Sequence, residues 1–280
     1  MTLQTPDEAK SRTPDQARAP IWKEGYRLIR SNPRTMLPVL ATQIPLSIAA
    51  AVAWIILYAV AFPDVDVDAG TLFGSEAPRQ LILWVAIISW AHSLFTSVGI
   101  AGAIVAVRAT LDGRPQPLSA SLDPPFTRLG GLLVIFVIFQ ALLLAGGVLF
   151  ITGIGLVLTV YLALRLGLGL HAFILEEVNI PTAIRRSWRL TRGNAFRLLG
   201  TVVVVLAVFL VSLVATTIVL VLVLIPFYSE DPSRNVSLMT NAGVFLALGA
   251  ALVPAGTYFA ATTTIFYRRI GETRDDRSPA

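Results

Sequence analysis

The sequence predicts an all-α, polytopic membrane protein: a bundle of six transmembrane helices with amphipathic helices lying along one membrane face. Three observations lead there. The 280-residue chain is 55% hydrophobic and only 14% charged, whereas a soluble domain, which must cover its surface with polar groups, carries about 25% charged residues. Its mean hydropathy is +0.73. Its apolar residues gather in long runs bordered by arginines mainly on one side. A transmembrane β-barrel would instead show segments of alternating polarity, about ten residues each.

Residues 1–20 are polar and rich in Pro, Asp and Arg, so they are expected to form a disordered tail with almost nothing to bury. They contain no short apolar core followed by a small-residue cleavage site, which leaves the first span to act as an uncleaved insertion signal. A helix needs about 20 apolar residues to cross the hydrocarbon core. Spans one and two are 36–62 and 81–107. The run 129–175 is about twice the required length, with Arg165 as its charge, and Thr152-Gly153-Ile154-Gly155 reads as a tight turn. The turn divides it into 129–151 and 156–175. Spans five and six are 198–227 and 243–267, and a second disordered tail follows at 271–280. The membrane domain therefore occupies 21–270.

Orientation follows from lysine and arginine placement. Nineteen of these residues fall before span one, between spans two and three, between spans four and five, or after span six; Arg79 and Arg234 fall on the opposite side. That opposite side instead carries Asp64, Asp66, Asp68, Glu76, Glu230 and Asp231. Both termini are expected in the cytoplasm, in a multi-pass protein of the cell (plasma) membrane. The sequence pI of about 10.0 does not point to nucleic acid, because the positive charge is divided among four juxtamembrane segments rather than gathered on one folded face. In those positions it can meet anionic headgroups.

Helices lying in the headgroup plane are expected before spans one, three and five. In the first, Ile21, Trp22, Gly25, Leu28 and Ile29 share one face and Lys23, Arg27, Arg30 and Arg34 the other. In the one before span five, Ile184, Trp188 and Thr191 oppose Arg185, Arg189 and Arg192, with Pro181 placed for the first turn and Gly193 for a stop. An apolar face with Trp or Tyr against a cationic face is the pattern of an interfacial helix. Trp22, Tyr26, Arg27, Arg30, Arg185, Trp188, Arg189 and Arg192 are the candidate anchors, serving either topology or anionic-lipid recognition. Tyr26-Arg27-Leu28-Ile29-Arg30-Ser31-Asn32 also aligns with Trp188-Arg189-Leu190-Thr191-Arg192-Gly193-Asn194, and Phe126–Gly130 is a weaker copy of Phe196–Gly200. This implies a threefold repeat of an interfacial helix plus a two-helix hairpin.

Residues 161–200 carry a more specific pattern: Arg165 within span four, Glu176 at its end, then Ala183, Ser187, Trp188, Leu190, Thr191 and Gly193 spaced as A-x-x-x-S-W-x-L-T-x-G. This resembles the bacterial membrane-domain family named after the glycerophosphoryl diester phosphodiesterase membrane domain. The resemblance implies a six-span domain. Some relatives fuse it to a phosphodiesterase barrel with His, Glu and Asp around a divalent metal. The six spans and their loops leave no room for such a barrel in this chain, and the resemblance implies no assigned activity for stand-alone members.

No catalytic apparatus, cofactor or metal site is expected. There are no cysteines and two histidines, His92 and His171, and no carboxylate lies well inside a span to complete a ligand set or a triad. Counted from the membrane faces, His92, Gln140 and Arg165 fall near the midplane. A helix-centre Arg costs about 2.5–3.5 kcal/mol on insertion scales, so it should face the bundle interior or water. Glu176 lies eleven residues further on, about 16 Å along the helix, which makes direct pairing implausible. Two readings of Arg165 stay open: bonding to carbonyls and Gln140, or a cavity for an anionic group. The expected function is a non-enzymatic membrane protein that binds anionic lipid on the cytoplasmic side or organises a complex with a protein partner or a second copy. The alternative is a transporter or permease-like subunit using the His92, Gln140 and Arg165 layer.

Overall fold

The computed structural model describes residues 20–61, 79–149, 167–224 and 234–275, and among these the secondary structure is entirely helical. The two tails, the loop with Asp64, Asp66 and Asp68, the turn expected at 152–155, and Arg165 lie outside the described residues.

Helix α1 (Ile21–Ser31) leads through a 3₁₀ turn (Pro33–Met36) into α2 (Leu37–Ala61). Helix α3 (Arg79–Leu111) returns, and α4 (Leu118–Thr127) precedes α5 (Leu129–Leu149). Then come α6 (Gly169–Leu175), α7 (Ile180–Thr191), α8 (Ala195–Leu224) and α9 (Arg234–Asp275). The expected interfacial helices are thus α1, α4 and α7, each directly ahead of a long apolar helix.

Among the described residues, four helical stretches are long and apolar enough to cross a membrane: Pro33–Leu57, Ala86–Leu111, Ala195–Leu222 and Gly243–Ile270. The pair Leu118–Thr127 and Leu129–Leu142, bent by 72°, makes up to five. Most of the expected span 156–175 lies outside the described residues, and its end is α6.

Helix α9 is the hub, touching α1, α2, α3 and α8. Its small residues make this close approach feasible. Ala247, Ala251, Ala255 and Ala260 are buried, and a Cβ at Gly249 would overlap Ser47 of α2. Gly99 of α3 meets Thr42 of α2 in the same way. Between membrane helices, lipid tails are as apolar as leucine, so close backbone contact rather than hydrophobic expulsion draws helices together. Helix α8 shows the converse. None of its membrane-length window is buried, and Val211 and Leu222 are 71% and 62% exposed. A water-facing surface of that kind would aggregate, whereas hydrocarbon solvates it.

The repeat has a local structural counterpart. Gly25 and its aligned residue Ser187 are both buried, while Tyr26 and Trp188 are both exposed. The amide nitrogens of Asn32 and Asn194 close the two helices alike, donating to the Leu28 carbonyl at 3.5 Å and the Leu190 carbonyl at 3.4 Å. Gly193 takes φ +85° past the end of α7, where a residue with a Cβ would be strained.

Candidate functional site

The chemistry among the described residues falls into one polar cluster between helices, a charged end of the bundle, and an apolar cavity. The polar cluster lies between α2 and α3. Gln43 and Ser47, one turn apart on α2, face His92 and Thr96, one turn apart on α3. Gln43 Nε2 donates to Thr96 Oγ1 at 2.6 Å, and Thr96 in turn donates to the His92 carbonyl at 2.8 Å. Ser47 Oγ lies 3.0 Å from His92 Nε2. All four side chains are buried. Bonds of this kind across membrane helices are worth about 0.6 kcal/mol each, up to about 1.7. Gln140 is half-buried on α5 and makes no hydrogen bond to this cluster among the described residues. The structure therefore joins His92 to α2 rather than to Gln140. Sequence reasoning missed Gln43 and Ser47, although polar residues at i and i+4 in an apolar span are a readable signal.

The charged end is built where α3 and α9 finish, α5 begins, and α6 turns into α7. Glu176 Oε2 pairs with Arg186 Nε at 2.7 Å, and the Tyr267 hydroxyl of α9 donates to Glu176 Oε1. Arg186 Nε also donates to the Tyr267 oxygen at 3.2 Å. The His171 ring stacks on Tyr267 with centroids 5.8 Å apart, and its Nε2 lies 3.0 Å from Thr263 Oγ1. Partial burial opposes the Arg186 charge, but hydrogen bonds and attraction from Tyr267 and Glu176 outweigh it, so its pKa is raised. The connection between α6 and α7 turns at Glu177, which has φ +56°. Arg128, at the start of α5, holds it by bonding Glu177 at 3.1 Å and the Phe173 carbonyl at 3.1 Å. The Asn179 side chain then caps α7, accepting from the Thr182 amide at 3.0 Å.

Helix α1 docks on the same end. Arg269 pairs with Glu24, the Tyr258 hydroxyl donates to the Trp22 carbonyl at 2.8 Å, and Gly25 sits against Thr262. Nearby, Arg268 bonds the Leu111 carbonyl at 3.1 Å and pairs with Asp112 at 3.5 Å.

These contacts decide which faces remain outside. The buried residues of α1 and α7 are Gly25 on the first and Ala183, Ser187, Leu190 and Thr191 on the second. The aromatic anchors Trp22, Tyr26 and Trp188 are 44%, 57% and 42% exposed. Arg27, Arg30, Arg185, Arg189 and Arg192 are exposed as well. Within the apolar faces that the sequence groups, Gly25 and Thr191 meet the bundle while Trp22 and Trp188 stay exposed.

Beneath α7 lies a cavity of about 410 Å³ between α3, α5, α6, α8 and α9. Among the described residues its walls are apolar except for Ser97, and Ala183 and Ile184 of α7 form its roof. Among the described residues, no three His, Cys, Asp or Glu side chains converge as metal ligands.

No curated protein and no solved structure matches the chain. A family model does, described as the membrane domain of glycerophosphoryl diester phosphodiesterase, over residues 129–269. The match takes in α5 to α8, most of α9, the Glu176–Arg186–Tyr267 network and nearly all of the cavity wall. It concerns the membrane part of that enzyme family and not its catalytic part. Covering half of the chain, it establishes that this protein belongs to the glycerophosphoryl diester phosphodiesterase membrane-domain family.

Proposed function

We propose that the protein is a non-catalytic membrane module that engages anionic lipid through the exposed faces of α1 and α7, with its basic end turned toward the cytoplasm. One observation carries this reading. Both helices are locked to the bundle by buried residues and by ion pairs of Glu24 and Arg186, so Arg27, Arg30, Arg185, Arg189, Arg192 and the aromatic rings are held outward at the same end. An arginine near an anionic surface contributes about 1 kcal/mol, or about fivefold in affinity. The pairing of Trp or Tyr with Arg on one exposed surface suits the boundary between acyl chains and phosphates. A polar transmembrane pathway has less support, because His92 is engaged in holding α2 to α3.

The test is gentle purification followed by mass spectrometry of retained lipids. The native chain should retain anionic phospholipid above its share of the source membrane. A variant with Arg27, Arg30, Arg189 and Arg192 all replaced by Gln should lose that enrichment. Retained lipid that mirrors the bulk membrane in both proteins would end the proposal.

A further inference from the structure

We infer that the cavity beneath α7 is a binding site for one acyl chain of a membrane lipid from the leaflet at the basic end. The inference deepens the reading above and rests on it only for the sign of the headgroup.

Depth supports the choice of leaflet. Helix α5 lines the cavity from Leu132 to Phe139, α8 from Val202 to Phe209, and α9 from Leu252 to Phe259. Each wall is therefore about 10 Å long at a rise of about 1.5 Å per residue, within a leaflet whose hydrocarbon is about 15 Å deep, half of the bilayer core. The α5 and α8 walls begin just inside the N-termini of those helices, beside Arg128 and Arg197.

Size admits the headgroup-proximal stretch of an acyl chain: the cavity holds about 410 Å³ along walls about 10 Å long. Water is a poor occupant, since Ser97 is the polar side chain among the described walls and a buried water needs two to four polar partners. Left empty, the walls would forfeit their dispersion contacts. Phe139 and Leu206 line the cavity yet are 36% and 52% exposed, so among the described residues a chain has a lateral way in between α5 and α8. Charge complementarity completes the case. Ile184 of the roof is followed directly by the exposed Arg185, with Arg189 one turn on, placing cations where the phosphate of a chain-inserted lipid would lie.

The experiment uses the full chain in phosphatidylcholine vesicles containing a quarter phosphatidylglycerol, with a photoactivatable diazirine in one acyl chain of either lipid. After illumination, labelled peptides are mapped. Labelling should concentrate on the cavity-facing residues of α5 and α8, several-fold over the outer face of α8 at Val211 and Val214. Gly167→Leu, at a glycine whose Cβ meets open space, should reduce cavity labelling several-fold and leave outer-face labelling unchanged. Val205→Trp, from the opposite wall, should do the same. Even labelling of both faces, or cavity labelling that survives both substitutions in folded protein, would overturn the inference. If labelled phosphatidylcholine enters as readily as phosphatidylglycerol, the chain site stands and the anionic preference falls. If anionic lipid is still retained on purification but the cavity is unlabelled, the chain site falls and the headgroup reading survives.

Discussion

The Glu176–Arg186–Tyr267 network should be energetically coupled, and its strength can be bounded from its exposure. The Glu176 and Arg186 side chains are 23% and 39% exposed. A fully exposed ion pair is worth about 0.2–1 kcal/mol, and losing one partner of a buried pair costs about 3–5 kcal/mol. This pair lies between, so Glu176→Gln, which keeps the shape and an acceptor but removes the charge, should cost about 1–2 kcal/mol. Tyr267→Phe removes a hydrogen bond to a charged acceptor, worth about 1.5–3 kcal/mol; the lower end applies, because the network is only partly buried. In the Glu176→Gln background the tyrosine no longer donates to a carboxylate, though Arg186 still reaches its oxygen, so the double variant should fall short of additivity by about 1 kcal/mol. Reversible unfolding in mixed micelles, followed by Trp emission, measures all four corners of the cycle. Trypsin cleavage at Arg185 and Arg189 should accelerate in both single variants as α7 loosens. Coupling below about 0.3 kcal/mol, or a Glu176→Gln variant indistinguishable from the native chain, would refute the claim that these groups hold α7 to α9.

Gly25→Leu should displace α1 from Thr262 and cost about 1–3 kcal/mol by overpacking, a loss measurable by the same unfolding assay. Gln43→Leu should cost only about 0.6–1.7 kcal/mol, less than Gln43→Ala, because both remove a side-chain oxygen that has no partner among the described residues but leucine also fills the site. Since the Arg186 pKa is raised, its contribution to stability is fully present below its unfolded pKa and fades only in strong alkali as pH passes the folded value. Tm should therefore show no Arg186-dependent change from pH 6 to 9 when native and Arg186→Gln proteins are compared. Reporter fusions at the two ends should both read cytoplasmic, and fusions found on opposite faces would contradict the orientation.

The sequence by itself determined what a local signal can encode. Apolar runs of membrane length place the long helices, because hydrocarbon leaves a backbone no partner but its own turns. The cationic stretches at 21–31 and 180–191, with Pro181 and Gly193 as punctuation, locate α1 and α7. The spacing from Glu176 to Gly193 points to the family. Tertiary structure alone decided which groups meet. Glu176 finds Tyr267 across 91 residues and Arg269 finds Glu24 across 245, separations that leave no periodic trace in the chain. It also decided which sides of α1 and α7 face the bundle. An apolar stripe does not say which of its members touch protein and which touch lipid. Trp22 and Trp188 stay outside as the expected anchors, while Gly25, Ala183 and Ser187, with Leu190 and Thr191, meet the bundle, the small residues allowing the close backbone approach that holds membrane helices together.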